Sequence, residues 1–214
     1  MTTIYFIRHG QSEANSKGII QGHAEFPLSE LGVRQAELAG EWLANVKFDA
    51  IYSSDLGRAM TTAEQIAAHH NLTVQSRTRL REVGLGPLEG KTREEMAIDY
   101  PQLKAETLLT SGIQGTEPVE NLTERCAHLI ERMIDTHPEG TVAAVSHGGL
   151  IGILLTYMIA GENWYKMNRP FIIGNTGITK VSISQTGKSE IHYTNRTEHL
   201  DIEGNLLHSS TIAY

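Results

Sequence analysis

The sequence predicts an α/β fold: a three-layer sandwich in which helices cover both faces of a mostly parallel central sheet. Short apolar runs of strand length alternate along the chain with longer stretches whose apolar residues recur at helical spacing. This alternation favours a layered α/β architecture over an all-helical or all-β one. The run at 141–145 is unusually apolar, which is typical of a strand buried on both faces at the centre of a sheet.

The first predicted elements are two strands, each followed by a helix. Residues 4–7 form the first strand, and an amphipathic helix follows from its N-cap, Ser29, to about residue 46. Residues 49–53 form the second strand. Asp55 is expected to cap a second helix, which runs to residue 70 with alanine and isoleucine along its inward face.

The rest of the chain is expected to complete the sheet and to add a lid. A third strand at 73–75 leads into a glycine-rich loop at 80–90. Thr92 and Glu95 have the spacing of a capping box, so a short helix is expected from there to Tyr100. The remaining elements are a loop-like stretch at 107–119, a helix at 120–136, a strand at 141–145, a helix at 150–160, and strands at 177–184 and 190–193. We interpret 1–214 as a single domain in which 85–119 is a lid insertion over the carboxyl edge of the sheet.

Composition limits the classes of function. The chain has 214 residues, 40% of them hydrophobic, which suffices for one sizeable core. Its net charge of -7 argues against a nucleic acid or an acidic membrane as partner, since either would require clustered positive charge. The longest apolar run, 150–160, is too short to cross a bilayer, and no secretion signal precedes the first strand. The single Cys126 can form no internal disulfide, so we expect a cytoplasmic protein.

Two histidines, each followed by glycine, come directly after predicted strands. Residues 8–10 read Arg-His-Gly after the first strand, and residues 146–149 read Ser-His-Gly-Gly after the strand at 141–145. Ligands of an open α/β sheet gather outside the carboxyl ends of its strands, so the two imidazoles are expected to converge there. Gly148 opens the next helix, whose first backbone N–H groups can bind an anion.

The other residues predicted at strand ends or helix starts add the functional groups that phosphoryl transfer requires. Arg8 and Arg58 are guanidinium groups that can hold phosphoryl oxygens, and Asn15 adds an amide. One of the two imidazoles must be the nucleophile, because nothing else in the set offers an uncharged lone pair near neutral pH. Glu82 would protonate the leaving oxygen and then deprotonate the attacking water.

These motifs resemble those of the histidine phosphatase superfamily, which also contains the cofactor-dependent phosphoglycerate mutases. Residues 8–15, Arg-His-Gly-Gln-Ser-Glu-Ala-Asn, match the amino-terminal signature of the family. Residues 51–63 resemble its second block and residues 80–90 its third, and the Ser-His-Gly-Gly at 146–149 completes the set in the expected order. The resemblance therefore spans nearly the whole chain.

The resemblance implies a role for each site residue. His9 is expected to be phosphorylated on its outer ring nitrogen, inside a phosphate pocket formed by Arg8, Arg58 and His147. Glu82 is the implied proton donor. The implied phosphate or substrate contacts are Asn15, Gln21 and Gly22. The resemblance implies no metal, and no other cofactor is expected.

The stretch that corresponds to the longer insertion of the mutases is poor in positive charge. Mutases resemble one another in a basic cluster that retains a bisphosphorylated intermediate while it reorients. Here the cations are Lys91, Arg93 and Lys104, against Glu89, Glu94, Glu95, Asp99, Glu106, Glu117 and Glu120. This balance favours a phosphatase acting on small phosphomonoesters. The apolar residues at 96, 100, 103, 108, 109 and 113 either contact an organic leaving group or only pack the lid.

Other functions stay open at this point. They are a phosphomutase such as a cofactor-dependent phosphoglycerate mutase, a non-catalytic phospholigand-binding protein and a binuclear metallophosphatase, although the last would need clustered Asp and His ligands. The histidines at 69, 70, 137, 192, 199 and 208 lack metal-site spacing and are interpreted as surface or packing residues. The expected ligand is a small phosphorylated metabolite: a sugar phosphate, phosphoglycerate, nucleotide precursor or vitamin-pathway phosphate such as α-ribazole phosphate. A homodimer is one option for the assembly.

Overall fold

The computed structural model describes residues 1–103, 108, 110–167, 169–202 and 205–206. Its main sheet has six strands: β1 (Thr2–Arg8), β2 (Ala50–Ser53), β3 (Val74–Ser76), β4 (Thr141–Ser146), β5 (Ile178–Ile183) and β6 (Ser189–Arg196). Their order across the sheet is β3-β2-β4-β1-β5-β6. The first four in this order are parallel, whereas β5 pairs antiparallel with β1 and β6 antiparallel with β5. The predicted fold class, α/β with a mostly parallel central sheet, is confirmed.

Helices cover both faces of this sheet. The bounds are α1 (Glu13–Ser16), α2 (Glu30–Leu43), α3 (Gly57–Ala67), α4 (Arg93–Asp99), α5 (Val119–Thr136) and α6 (Gly148–Ala160). Side chains alternate along β1, so that Ile4 and Phe6 join one core with residues of α5 and α6. Tyr5 and Ile7 join a second core with residues of α2 and α3. A two-stranded ladder, β7 (Asp201–Ile202) with β8 (Asn205–Leu206), follows the main sheet.

The apolar run at 141–145 lies at the centre of the parallel part of the sheet, as its composition predicts. β4 has β2 on one side and β1 on the other, and the residues from Val142 to Val145 are fully buried. The following helix, α6, is buried along most of its length, which explains why its sequence is apolar on every side. No helix in the described part of the chain is long and apolar enough to span a membrane.

The predicted cap of the second long helix is wrong. α3 begins at Gly57 after Leu56, which makes no side-chain cap, and Asp55 instead accepts a hydrogen bond of 2.7 Å from Arg81 Nε. The ion pair competes successfully for the carboxylate because a guanidinium offers two donors and a full charge. It also ties β2 to the segment that leads into Glu82. α2 and α3 both end three residues earlier than predicted, at Leu43 and Ala67.

The proposed lid begins as a folded segment that contacts the core. Leu85, Leu88 and Leu108 are buried in the core beneath α5 and α6. The capping box of Thr92 and Glu95 opens α4 as predicted. The backbone of Ile20 donates to the carbonyl of Lys91 at 2.9 Å, which fastens the segment to the loop after α1. The residues at 104–107 and 109 lie outside the described part, among them Lys104, Glu106 and Leu109.

Candidate active site

The two Gly-flanked histidines lie side by side because their strands are parallel neighbours in register. Arg8, the last residue of β1, pairs with Ser146, the last residue of β4. One residue further along, the His9 amide donates to the Ser146 carbonyl at 3.0 Å, and the ring centroids of His9 and His147 are 5.0 Å apart. Both side chains are buried, with 2% and 0% exposure. The sequence-predicted convergence of these residues is therefore present in the structure.

The ring of His9 is held in one tautomer. Its Nδ1 lies 2.6 Å from the Gly10 carbonyl oxygen, and a carbonyl only accepts, so Nδ1 carries the proton and Nε2 carries the lone pair. Burial, followed by the positive charges of Arg58 and Arg8, lowers the pKa of His9 well below its usual value. The imidazole is therefore neutral near neutral pH, with its outer nitrogen available as a nucleophile.

His147 presents a different nitrogen to the site. Its Nε2 lies 2.9 Å from Ser54 Oγ, whose hydroxyl can donate to that nitrogen. In this tautomer Nδ1 carries the proton, and Nδ1 is buried with no hydrogen-bond partner among the described residues. Burial and then the charge of Arg58 lower the pKa of His147 as well. A neutral, buried N–H without a partner is suited to donate to a ligand oxygen.

Two buried guanidinium groups flank the histidines. Arg8 Nη1 donates to the Ile173 carbonyl at 2.7 Å, and Arg58 donates to the carbonyls of Ala24 and Gly22 at 2.9 and 2.8 Å. These carbonyls fix the orientation of the two side chains. Both arginines are at most 2% exposed, so their charges act through a medium of low dielectric constant. The site is consequently strongly attractive to an anion.

α1 and the loop after it carry Asn15, Gln21 and Gly22, the predicted contacts of the phosphate pocket. Asn15 Oδ1 accepts from the Ser12 amide, while its Nδ2 is buried without a partner among the described residues. Gln21 is buried and accepts from the Ser12 hydroxyl at 2.8 Å. Gly22 has a φ of 51°, and a Cβ there would lie 2.2 Å from Glu89 Oε1. Of the predicted contacts in this loop, Gly22 is the one whose carbonyl holds Arg58.

The carboxylate of Glu82 is bound to the N-terminus of α6. Its oxygens accept from the amides of Gly149 at 3.0 Å, Leu150 at 2.9 Å and Val83 at 2.9 Å. The helix-start donors that the sequence assigns to a phosphate therefore hold Glu82 in this structure. A Cβ on Gly149 would lie 2.5 Å from Glu82 Oε1, and a Cβ on Gly148 would lie 3.2 Å from Arg8 Nε. A side chain at Gly149 would therefore force the Glu82 carboxylate to shift, and one at Gly148 would press on Arg8.

A buried cation fixes the backbone of Glu82 from the other side. Arg125 of α5 donates to the carbonyl of Arg81 at 2.9 Å and lies within 3.4 Å of the Glu82 carbonyl. Glu117 pairs with Arg125 at 2.9 Å. His23 Nε2, 2.8 Å from the same Glu82 carbonyl, contacts it from the loop after α1. Glu82 is thus positioned through both its carboxylate and its main chain.

Asn175 and Ser54 are site residues that the sequence analysis missed. Asn175 Nδ2 donates to the His9 carbonyl at 3.1 Å and to Asn15 Oδ1 at 3.2 Å, so it connects the end of β1 to the amide of Asn15. The sequence feature that could have indicated Asn175 is Gly-Asn-Thr-Gly at 174–177, which is typical of a turn and directly precedes β5. Ser54 follows β2 at the same sheet edge, inside the 51–63 block, but nothing in that block assigned it a role.

The remaining histidines make local contacts. The ring nitrogens of His137, His192 and His199 lie 2.8–2.9 Å from hydroxyls of Tyr52, Ser182 and Thr176. His199 is only 6% exposed, which agrees with a packing role. His208 lies outside the described residues. Within the described ranges, no three His, Cys, Asp or Glu residues come together as a metal site.

Fold and site together define a class of protein. An α/β sheet whose carboxyl edge carries two neutral imidazoles between two buried guanidinium groups has the architecture of a phosphoryl-transfer enzyme. The sequence profile of the histidine phosphatase superfamily (branch 1) matches residues 4–196. The chain belongs to this superfamily and is an enzyme of it, a phosphatase or mutase.

The similar proteins include one described as a probable mutase and others described as phosphatases. "Probable phosphoglycerate mutase GpmB" of Yersinia pestis (strain Pestoides F) is 31% identical over 164 residues, which are 74% of this chain and 75% of the relative. The structure of a mutant phosphoserine phosphatase from Entamoeba histolytica in complex with phosphoserine is similar, with a TM-score of 0.79 and 29% identity over 94% of this chain and 100% of that one. Mycobacterial glucosyl-3-phosphoglycerate phosphatase in complex with VO3 gives a TM-score of 0.78 and 29% identity over 90% and 98% of the two chains.

Proposed function

We propose that this enzyme is a metal-independent phosphatase that hydrolyses small phosphomonoesters through a covalent phosphohistidine on His9. The observation that carries the proposal is the Nδ1–H bond from His9 to the Gly10 carbonyl, because it leaves a lone pair on Nε2. The lowered pKa of His9 supports the same role, since a protonated imidazole could not attack phosphorus. Arg8, Arg58 and His147 are the proposed ligands of the phosphoryl oxygens.

The first step transfers the phosphoryl group to the enzyme. His9 Nε2 attacks phosphorus, an N–P bond forms and the P–O bond to the leaving group breaks. Glu82 in its protonated form gives its proton to the departing oxygen, which leaves as an alcohol. Negative charge on the phosphoryl oxygens is stabilised by the two guanidinium groups and by the Nδ1–H of His147.

The second step returns the enzyme to its starting state. A water molecule attacks phosphorus on the phosphohistidine while Glu82, now a carboxylate, takes a proton from it. The N–P bond breaks, its electron pair returns to His9 Nε2, and inorganic phosphate leaves. The bonds from the first turn of α6 hold Glu82 as a carboxylate, the form that this second step uses, on the turn that follows His147.

Hydrolysis is favoured over mutase chemistry by the charges of the proposed lid. Lys91 is engaged with Asp99 at 2.6 Å, so it is not available to retain a doubly phosphorylated intermediate. The structural relatives named above are phosphatases, which agrees with this inference. Phosphoserine, glucosyl-3-phosphoglycerate and other small monoesters are therefore the first substrates to test.

A rapid-quench experiment tests the covalent step. The enzyme is mixed with a ³²P-labelled phosphomonoester, quenched in base and digested, and the label is located by mass spectrometry. We expect acid-labile, base-stable phosphate on His9 during turnover. His9→Gln should carry no label, whereas the matched His192→Gln, which changes a histidine on β6, should be labelled like the wild type. Turnover of the wild type without label on any histidine would refute the mechanism.

The relative described as a probable phosphoglycerate mutase makes mutase activity the second candidate. Incubation with 3-phosphoglycerate and its bisphosphate cofactor separates the two, because hydrolysis releases free phosphate and mutation yields the isomeric ester. We expect phosphate release to dominate. Isomerisation faster than phosphate release would assign the enzyme to the mutases.

A further inference from the structure

A second cavity lies beside the sheet edge formed by β3. Its volume is about 480 Å³, a size suited to a small-molecule ligand. One wall is built by the end of β3 and the turn at 78–80, and the facing wall by the last turns of α5. None of the residues assigned above to the phosphoryl site lines this cavity.

The lining of this cavity is rich in positive charge, although the chain as a whole is negatively charged. Three guanidinium groups, those of Arg77, Arg79 and Arg132, line it, and within the described residues none of them forms an ion pair with a carboxylate. Asp49 is the one carboxylate among the lining residues, and it accepts from the Thr141 amide at 2.7 Å. In a protein with a net charge of -7, this concentration of cations attracts anions locally.

One of the three arginines is held in a fixed orientation. Arg77 donates to the Ser76 carbonyl and to Gln75 Oε1, both at 2.8 Å. Its Cζ lies 4.9 Å from the ring centroid of Tyr52, so the guanidinium stacks on an aromatic face. The Tyr52 hydroxyl in turn lies 2.8 Å from His137 Nε2. A guanidinium that is already ordered loses less conformational entropy when it binds a phosphate or carboxylate.

The floor of the cavity is apolar. Leu129 and Met133 of α5 line it and are each 7% exposed, and His128 adds a ring next to them. A purely inorganic anion would leave these apolar surfaces without a contact. Cations at the rim and apolar side chains on the floor therefore fit an organic ligand that carries several negative charges.

We propose that this cavity is a binding site for a small organic polyanion. Its phosphate or carboxylate groups would bind Arg77, Arg79 and Arg132, and its organic body would pack on Leu129 and Met133. The site is separate from the phosphoryl site, so the proposal does not depend on the proposed function.

Site-resolved NMR tests this proposal on the full chain. The probe is adenosine 5′-(β,γ-imido)triphosphate, which combines an organic body with several charges and has a terminal P–N bond that resists phosphatases. We expect saturable amide shifts at 75–79 and 128–137, with an affinity obtained separately from any shifts near His9 and Gly149. The double variant Arg79→Gln/Arg132→Gln should weaken binding in the cavity about tenfold or more while leaving shifts near Gly149 unchanged.

A second double variant controls for net charge. Arg34→Gln/Arg196→Gln removes the same charge from two exposed arginines that do not line the cavity, and it should bind the probe like the wild type. Equal weakening in both doubles, or no saturable shift at the cavity amides, would overturn the proposal. Imidodiphosphate, which has phosphate charges but no organic body, should bind more weakly than the nucleotide probe. Equal affinity for the two probes would contradict the proposal that the cavity binds an organic ligand.

Discussion

At the scale of single residues, two identical side chains acquire different chemistry from their hydrogen bonds. The Gly10 carbonyl holds the proton of His9 on Nδ1 and leaves Nε2 with the lone pair, whereas donation from the Ser54 hydroxyl to His147 Nε2 puts the proton of His147 on Nδ1, which has no partner among the described residues. One ring thus presents a lone pair and the other an N–H group. This division agrees with a nucleophile beside an oxyanion donor.

The first prediction concerns the titration of His9. Its pKa in the folded enzyme should lie well below 6.5, because burial and the charges of Arg58 and Arg8 oppose protonation. Titration of the histidine Cε1–H signals by NMR measures this value directly. Arg58→Gln should raise the pKa of His9, and Arg34→Gln, a matched change on the exposed face of α2, should leave it unchanged. A wild-type value at or above 6.5 would contradict the electrostatic argument.

The second prediction concerns Asn175. Asn175→Ala removes the bonds to the His9 carbonyl and to Asn15, so kcat/KM should fall about tenfold, as expected for the loss of one or two buried hydrogen bonds. Asn163→Ala, at an exposed position, should leave kcat/KM unchanged. Steady-state kinetics is the measurement, and thermal unfolding shows whether each variant is folded. Wild-type activity in folded Asn175→Ala would exclude a positioning role.

The sequence could identify the residues that carry charge or a titratable ring, but not the neutral groups that orient them. Arg8, His9 and His147 stand out because each follows a strand and because the motif carries the resemblance. Asn175 and Ser54 do not, because an amide or hydroxyl in a turn is common and only the folded structure shows which atom it contacts. The tautomers of the two histidines are fixed by such contacts and cannot be read from sequence.

At the scale of elements, the start of α6 connects two residues of the proposed mechanism, His147 and Glu82. The helix begins directly after His147, and its first turn holds the carboxylate of Glu82. Glycine at position 149 leaves room for this arrangement, because a side chain there would push Glu82 Oε1 out of its place.

The third prediction tests that junction. Gly149→Ala should displace Glu82 and lower kcat about 100-fold, a typical loss for a misplaced general acid. Gly57→Ala makes the same change at the first residue of α3, where the added Cβ meets only the flexible end of Glu25 at 3.4 Å, and should be close to wild type. Steady-state kinetics and circular dichroism check both variants. Equal kcat values for the two would show that Gly149 is not required for close approach.

The elements themselves were predicted with different success, for physical reasons. Strongly periodic segments such as α5, and the apolar strand β4, were found because burial imposes their pattern. The Asp55 cap failed because a long-range ion pair with Arg81 competes with a local one, and no local pattern encodes that choice. The four-residue α1 was missed because one turn is too short to show a period.

At the scale of the whole molecule, the buried histidines link stability to pH. The unfolded chain protonates His9 and His147 near pH 6.5, while the folded state resists protonation, so the unfolded state binds more protons below that pH. The free energy of unfolding should therefore fall as the pH drops below 6.5. Each histidine contributes up to about 1.4 kcal/mol per pH unit, until the folded-state pKa is reached.

Urea unfolding of wild type and His9→Gln at a series of pH values tests this fourth prediction. The variant should lose stability less steeply on acidification, because one group with a lowered pKa has been removed. Above pH 6.5 the two stability curves should run parallel, since His9 is neutral in both states there. Parallel curves below pH 6.5 as well would contradict the lowered pKa of His9.

The strand order of the sheet also has a consequence for the timing of site assembly during synthesis. β1 is made before its two neighbours in the sheet, β4 and β5. A nascent chain therefore carries His9 and Arg8 before His147 and Asn175 are made, and His9 then lacks the surroundings that keep it neutral and oriented. The proposed site is therefore assembled only after β4 and β5 have been made and have paired with β1.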